Sequence, residues 1–216
     1  MGGGARRRRA RRARLALLGL KLFGLGFVAV TLAASGVAPY DRGTWLLEVG
    51  PVIIAAPILV ATHRRFPLTS ILYFLICLHA LVLILGGAYT YARVPLGFWL
   101  QDWLELERNP YDRIGHFFQG FVPALVAREI FIRGGYVSGR KMLAFLSLCV
   151  PLAFSAFYEL LEWWTALAFG EGAVDFLGTQ GDPWDTQADM FLALIGAAAA
   201  LALLSRLQDR QIQALR

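Results

Sequence analysis

Six apolar runs dominate this sequence, and each is long enough to cross a lipid bilayer as a helix. A crossing helix needs about 20 mainly apolar residues, because the hydrocarbon core is about 30 Å thick. The runs cover residues 15–35, 45–62, 68–89, 111–132, 141–169 and 185–204. Since lipid offers no partner for backbone N–H and C=O groups, each run is predicted to be a helix.

The composition supports a chain that lies mostly within the membrane. Of its 216 residues, 57% are hydrophobic and 17% are charged, against about 45–50% and about 25% in an average soluble domain. This excess excludes a soluble enzyme and a large extramembrane domain. We therefore expect an all-α fold, a polytopic membrane helix bundle with six transmembrane helices in a single domain over residues 15–204.

The segments outside the runs are short and polar. Residues 1–14 form a basic tail and residues 205–216 a second tail, both predicted to be cytoplasmic. Residues 94–109 are rich in aromatic residues but too charged to cross, which is typical of an interfacial segment. Residues 170–184 are predicted to form an acidic loop, on the outer side like the interfacial segment.

Positive charge is distributed so that both termini are predicted to lie in the cytoplasm, N-in and C-in. Cytoplasmic loops of membrane proteins are enriched in Lys and Arg. With the N-terminus inside, the inner segments contain the seven arginines between Arg6 and Arg14, then Arg64, Arg65, Arg133, Arg140, Lys141, Arg206, Arg210 and Arg216. The outer segments contain Arg42, Arg93, Arg108 and Arg113. This bias predicts a multi-pass membrane protein, and the distribution of positive charge argues against nucleic acid as a partner.

The first run has an alternative interpretation as a cleaved signal peptide. It follows a basic start and ends near the small residues Ala33, Ala34 and Ala38, as cleavable signals do. At about 20 residues it is longer than the apolar core of about 7–15 residues usual in signal peptides. A retained helix is therefore the favoured prediction.

Ionisable side chains within the runs gather in the half of the membrane predicted to face outward. Such residues are costly in lipid and usually functional. They are Glu48, His79, Asp112, His116, Glu159, Glu162, Asp185 and Asp189. Three pairs share a helix face at spacings of three or four residues: Asp112 with His116, Glu159 with Glu162, and Asp185 with Asp189. If these faces converge, the carboxylates require a cation, protons or a nearby arginine, because they cannot all stay ionised together.

The candidate site residues follow from this pattern. His116 is the predicted general base or ligand, oriented by Asp112, and Glu159 and Glu162 complete the catalytic candidates. The candidate metal ligands are Asp185, Asp189 and His79, so a divalent cation is the cofactor that the pattern suggests. Arg113, beside the starts of two predicted helices, is the candidate anion-binding residue.

Two matching segments, Asn-Pro-Tyr-Asp at 109–112 and Asp-Pro-Trp-Asp at 182–185, are predicted to start helices. Their first residues, Asn109 and Asp182, are expected to be N-caps, each followed by a proline at the first helical position. The aspartate three residues later interacts favourably with the helix dipole, which explains that aspartate without a functional site.

Other polar and small residues also have structural interpretations. His79 alone on an apolar helix is typical of an interhelical hydrogen bond. Glu129 near the inner end is predicted to pair with Arg128 or to extend to the interface. Tyr91 is predicted to belong to an outer aromatic belt, and Gly196 to a packing face of small residues.

Four longer motifs resemble those of the YjdF-type bacterial inner-membrane proteins. They are GGAYTYARVPLG (86–97), RNPYDRIGHFFQGF (108–121), YELLEWW (158–164) and LGTQGDPWDTQADM (177–190). The resemblance spans about residues 45–204 and implies a multi-pass inner-membrane protein, with no activity to carry over. The order D-x-x-x-H-F, E-x-x-[EQ] and D-x-x-x-[ND] is more distantly similar to VanZ-like membrane proteins, which are associated with glycopeptide (teicoplanin) resistance. That similarity implies a role for Asp112, His116, Glu159, Glu162, Asp185 and Asp189.

The favoured functional hypothesis is an outward-facing polar site that binds, or acts on, an envelope lipid or a lipid-linked head group. One alternative is a proton- or cation-coupled transporter, which needs a polar path across the whole membrane. Another is a non-catalytic envelope protein that docks a partner through the acidic segment 171–189.

Overall fold

A computed structural model of the chain describes residues 3–170 and 179–215, the side chains before Leu17 and that of Phe169 excepted. The described part is helical, with seven α-helices and one turn of 3-10 helix. They are α1 (Gly3–Ser35), α2 (Arg42–Thr62), α3 (Ser70–Tyr89), the 3-10 turn Tyr91–Arg93, α4 (Pro95–Leu104), α5 (Tyr111–Gly134), α6 (Arg140–Phe169) and α7 (Asp185–Leu215). The predicted all-α fold is confirmed for these residues.

Five of the described helices are long and apolar enough to cross a membrane. They are α1 over Leu17–Ser35, α2, α3, α6 over Arg140–Ala168, and α7. Helix α5, the remaining predicted crossing, contains five charged residues and stands outside this set. A multi-pass helical architecture is therefore confirmed. Length and composition identify five of the six predicted helices as candidate membrane spans.

Helix α5 lies at the centre of the bundle, where it packs against α7, α6 and α3. Its charged residues Asp112, Arg128 and Glu129 are buried among these helices. The middle of α5 belongs to a buried apolar layer formed by Leu68, Leu72, Leu75, Val122, Ala124, Leu125, Ala197 and Ala200. Charged residues are tolerated inside a membrane bundle where neighbouring helices surround them.

Helices α1 and α2 both pack on α3 at the edge of the bundle. A second apolar cluster joins these three helices through Val28, Val49, Val52, Ala80 and Ile84. Large apolar side chains of α1, such as Phe23 and Val30, are about two-thirds exposed, as expected for a helix that faces lipid. The bundle thus has an apolar periphery and keeps its charged side chains around α5.

The backbones of α5 and α7 touch at two glycines. A Cβ atom added to Gly120 would overlap the carbonyl oxygen of Ala193, and one added to Gly196 would overlap that of Phe117. Small residues that permit such an approach drive helix association in membranes, because apolar burial contributes little there. The small-residue face predicted at Gly196 is therefore the contact between the two central helices.

Glu129 is fully buried and joins three helices at the end of the bundle predicted to be cytoplasmic. It accepts hydrogen bonds from the backbone N–H and the hydroxyl of Thr69, at 3.0 and 2.7 Å, just before α3 begins. Arg133 donates to Glu129 at 2.8 Å, and Gln208 of α7 donates to it at 3.4 Å. We call these four residues the Glu129 network.

The prediction that Glu129 pairs with Arg128 is wrong, because the neighbouring side chains leave α5 in different directions. Arg128 donates instead to Gln208 at 2.9 Å and to Asp209 at 2.7 Å. Residues 205–215, predicted as part of a tail, therefore continue α7 as a helix held to α5. Helix α1 likewise begins at Gly3, within the predicted basic tail.

Replacing Gly120 or Gly196 by alanine is expected to destabilise the bundle by about 1–3 kcal/mol, because the added methyl group forces two backbones apart. Alanine is otherwise the better helix former by about 1 kcal/mol, so any loss reports the contact. The measurement is the thermal unfolding midpoint in detergent. The matched control is Gly26→Ala, where a Cβ atom meets open space; equal midpoints for all three variants would contradict the prediction.

Glu129→Ala is expected to cost about 3–5 kcal/mol, because it leaves the buried N–H and hydroxyl of Thr69 without an acceptor and the mostly buried Arg133 guanidinium without its carboxylate. The control is Asp102→Ala, an exposed carboxylate on α4. Unfolding is followed by circular dichroism in detergent against increasing denaturant. A Glu129→Ala variant as stable as the control would show that the network does not hold the helices together.

Candidate functional site

His116 in α5 lies among three carboxylates that three helices contribute. Its Nε2 atom is 3.5 Å from Asp112 Oδ1 in α5, 3.8 Å from Glu159 Oε1 in α6 and 3.9 Å from Asp189 Oδ2 in α7. All four side chains are buried. The faces that the sequence pairs by spacing therefore meet at one point. We call Asp112, His116, Glu159, Glu162 and Asp189 the His116 centre.

Glu162 joins this centre one turn further along α6. Possible metal-binding atoms of His116, Glu159 and Glu162 all lie within 4.8 Å of one another, and the same holds for Asp112, His116 and Asp189. The structure thus brings together the four predicted catalytic residues and one of the three predicted metal ligands. At such distances a proton can pass between side chains through one water molecule, or several of the side chains can hold one ion.

Several buried atoms of the centre have no hydrogen-bond partner among the described residues. They are His116 Nδ1, Glu159 Oε1 and Asp189 Oδ1. Buried polar groups in folded proteins are nearly always satisfied. Unpartnered buried atoms on three helices of one centre therefore indicate a site for a ligand rather than a closed structural network.

The arginines near the start of α5 pair with carboxylates that do not belong to the His116 centre. Arg108 Nη2 is 2.5 Å from Asp185 Oδ1, and both Arg108 and Arg113 approach Asp182 Oδ2 at 3.5 Å. Arg108 also donates to the Thr179 carbonyl oxygen at 2.6 Å. Asp185, a predicted metal ligand, and Arg113, the predicted anion-binding residue, are thus partnered within the protein. Sequence reasoning did not single out Arg108, because no spacing links it to Asp185.

The starts of α5 and α7 are built by matching turns. Asn109 Oδ1 accepts a hydrogen bond from the backbone N–H of Tyr111 at 3.0 Å, and Asp182 Oδ1 accepts one from Trp184 at 2.9 Å. The helices begin at Tyr111 and Asp185, so the prediction that Asn109 and Asp182 are N-caps is wrong. Both residues instead fold the turn that precedes the helix.

Glu48 in α2 is a further buried carboxylate near the His116 centre. The Tyr158 hydroxyl donates to Glu48 Oε2 at 3.1 Å, and Tyr91 also forms a hydrogen bond with Glu48. The sequence pattern included Glu48 among the intramembrane acids but missed both tyrosines. No local spacing could have found them, because Glu48 and Tyr158 are 110 residues apart.

Tyr91 fills a slot that two glycines open between α3 and α5. A Cβ atom on Gly86 or on Gly115 would lie 2.6 Å from an atom of the Tyr91 ring. The preceding residue, Thr90, turns the chain sharply with φ at 59°, an uncommon value for a β-branched residue. Tyr91 is 6% exposed, so its predicted place in an outer aromatic belt is wrong. Burial raises the pKa of the Tyr91 hydroxyl well above its usual value, which keeps it protonated as a donor.

A cavity of about 160 Å³ adjoins both Glu48 and the His116 centre, between α2, α3, α5 and α6. Its polar lining comprises Glu48, His79, Asp112, His116, Gln119, Tyr158 and Glu162, and its apolar lining includes Pro51, Leu83, Pro123 and Phe154. Phe154 is 61% exposed, so the cavity borders the lipid-facing surface of α6. The cavity combines polar and apolar walls, as a site for an amphipathic molecule requires.

His79 faces this cavity from α3. Its ring stacks near that of Phe118, with centroids 6.3 Å apart, and its Nε2 atom has no hydrogen-bond partner among the described residues. It belongs to neither group of possible metal-binding side chains. The structure therefore places His79 next to the His116 centre and not within it.

Known proteins share most of this sequence. A family model described as Predicted membrane protein (DUF2238) matches residues 20–210. Inner membrane protein YjdF of Escherichia coli (strain K12) is 61% identical over 186 residues, which cover 86% of this chain and 89% of the relative. No solved structure matches, and the similarity to VanZ-like proteins stays a prediction.

The resemblance to YjdF-type proteins is thereby confirmed, as is the predicted localisation, a multi-pass protein of the bacterial inner membrane. The family model covers nearly the whole helix bundle, including every residue of the His116 centre. The chain belongs to the DUF2238 family of predicted membrane proteins.

Proposed function

We propose that this inner-membrane protein crosses the bilayer six times and that its His116 centre acts on an envelope lipid or a lipid-linked head group at the outer leaflet. Residues 15–204 form the transmembrane domain, and both tails, residues 1–14 and 205–216, lie in the cytoplasm. The segment 94–109 and the loop 170–184 lie on the outer side.

The sixth crossing is α5. Its 24 residues extend about 36 Å at 1.5 Å per residue, more than the hydrocarbon thickness of about 30 Å. Asp112, Arg128 and Glu129 are buried in protein, and Arg113 and Arg133 lie near the two ends of α5, so the composition that separates α5 from the other spans does not oppose a crossing. Six crossings also agree with the excess of Lys and Arg at both termini.

An outward orientation of the His116 centre follows from the same charge bias. The centre uses the first turns of α5 and α7 and the second half of α6. The Glu129 network occupies the opposite end of α5, next to the arginine-rich segments. The positive-inside rule therefore places the network in the cytoplasmic half and the His116 centre in the outer half.

The observation that carries the proposed function is the pairing of this centre with a cavity of mixed lining. A volume of about 160 Å³ is similar to that of an engineered cavity of about 150 Å³ that binds benzene. That space suits a small head group. Phe154 and Leu83 provide apolar walls where an acyl chain can follow, and Phe154 already borders lipid.

The chemistry available at the centre is proton transfer or metal-assisted attack. For proton transfer, His116 would take a proton from a water or a hydroxyl group of the substrate at Nδ1, which has no partner among the described residues, while Asp112 orients the imidazole through Nε2. Glu159 and Glu162 supply further carboxylates that accept or return protons. Glu48, Tyr91 and Tyr158 also line the cavity and can donate or accept hydrogen bonds there.

The alternatives have less support. A transporter needs a polar path, but the apolar layer with Leu72, Leu125 and Ala197 lies between the His116 centre and the Glu129 network along α5 and α7, and all three residues are fully buried. The docking hypothesis depends on the acidic segment 171–189, of which residues 171–178 lie outside the described residues.

His116→Ala and Glu162→Gln are each expected to abolish complementation in a strain whose own copy of the gene is deleted, because each removes a group that carries protons or binds the substrate. General acid–base groups typically contribute about 10²–10⁴-fold in rate. The measurement combines the deletion phenotype with the amount of protein in the membrane fraction. His63→Ala is the control, since His63 contacts Tyr73 away from the centre; full complementation by both site variants would reject the function.

Topology is tested by labelling single cysteines with a membrane-impermeant reagent. Cys77 and Cys149 are first replaced by alanine, and cysteine is introduced at Ser138 or at Thr179. Labelling in intact cells whose outer membrane is permeable is expected at position 179, and at position 138 only after the inner membrane is opened. A tag at the N-terminus should persist in the mature protein; its loss, or the reverse labelling, would contradict six crossings with both termini inside.

A further inference from the structure

We propose that Asp112, His116 and Asp189 bind a divalent transition-metal cation, Zn²⁺ or Mn²⁺, and leave at least one coordination position open toward the cavity. This inference deepens the proposed function, because it assigns a cofactor to the same centre. It rests on contacts between side chains and does not depend on the identity of the lipid.

The distances in the centre fit shared coordination better than direct hydrogen bonds. His116 Nε2 lies 3.5 Å from Asp112 and 3.9 Å from Asp189, beyond the range of about 2.7–3.2 Å typical of N–H···O bonds. Two ligands of one tetrahedral zinc ion, each at about 2.0–2.2 Å, lie about 3.3–3.6 Å apart. Movements of a few tenths of an ångström would bring both His116 pairs to this separation, and the Asp112 and Asp189 oxygens lie within 4.8 Å of each other.

The charge of the centre also favours a cation. Four carboxylates stand around one imidazole, and the nearby Arg108 and Arg113 pair with Asp182 and Asp185. A divalent ion neutralises charge that a single imidazolium leaves uncompensated. Asp189 is 2% exposed, and its Oδ1 atom has no hydrogen-bond partner among the described residues. A bound cation gives this buried carboxylate a partner.

The three ligands lie near the close backbone contact between α5 and α7. Each lies one turn or two from the glycines at which α5 and α7 touch, so the distance between the two helices is fixed at the depth of the site. Three protein ligands with an open fourth position are typical of catalytic zinc sites, whereas structural sites are closed. Imidazole with carboxylates also suits manganese.

The remaining carboxylates then have a separate role. Glu159, 3.8 Å from His116 Nε2, and Glu162, which lines the cavity, are placed to accept a proton from a water bound at the open position. His116 would thus act as a ligand, with the base supplied by α6. The proton moves from the bound water to a glutamate carboxylate, and the resulting hydroxide is the nucleophile.

The test uses full-length protein purified in detergent without chelator. Metal content is measured by inductively coupled plasma mass spectrometry, and the protein is then stripped with EDTA and titrated with Zn²⁺ or Mn²⁺ alone. About one equivalent is expected, with a rise in the thermal midpoint as metal is added. Asp112→Asn and Asp189→Asn should each weaken binding at least about tenfold, and His116→Ala should abolish it. Asp185→Asn is the matched control, because Asp185 lies one turn from Asp189 on α7 but contacts Arg108.

Each outcome decides between interpretations. Failure of the wild-type protein to bind either metal, or equal binding by the Asp112→Asn, Asp189→Asn and wild-type proteins, overturns the site and leaves shared protons as the charge balance. Loss of metal in Asp185→Asn equal to that in Asp189→Asn overturns the ligand set. Size-exclusion profiles and circular dichroism identify a misfolded variant. If a ligand variant misfolds, Glu162→Gln, which is expected to keep the metal, serves as the second variant. Metal binding with unimpaired complementation by His116→Ala would retain the cation site and reject the lipid function.

Discussion

The close contact between the backbones of α5 and α7 sets the geometry on which the polar centre of the bundle depends. Membrane helices gain little from burying apolar side chains against each other, so association depends on packing and on polar contacts. At Gly120 and Gly196 the two helices approach until neither position has room for a methyl group. His116 stands one turn before Gly120 on α5, and Asp189 stands one turn before Ala193 on α7. The helix contact therefore sets the distance across the polar centre.

The sequence predicted the helices well because lipid imposes a simple requirement on length and composition. Its errors occur where tertiary contacts override local pattern. Residues after 204 are polar and suggest a tail, but Gln208 bonds to Leu125 and Arg128 and keeps them helical. Asn109 and Asp182 are residue types that favour N-caps, yet each side chain closes a turn that precedes the helix. In helix α5 the charged residues make the composition unlike that of a typical span. The neighbouring helices nevertheless bury Asp112, Arg128 and Glu129.

For the candidate site, spacing along each helix identified faces but not their partners. The Asp112 and His116 face could be predicted, since residues four apart on a helix are neighbours. Asp185 and Asp189 share a face equally well, but only the fold shows that Arg108 contacts the first while His116 approaches the second. Tyr91 and Tyr158 could not be linked to Glu48 from sequence, because a strained turn at Thr90 and a slot of two glycines bring Tyr91 there.

The length of α7 has a mechanical consequence. Asp189 and Gln208 lie 19 residues apart on one uninterrupted helix, about 28 Å at 1.5 Å per residue. Both residues contact α5, one at each end of the bundle. A slide of α7 by one turn, about 5.4 Å, would break both sets of contacts at once, so the two helices move as one rigid body or not at all. The cavity wall outside that pair of helices includes α2 and the second half of α6, which meet through the Tyr158–Glu48 hydrogen bond.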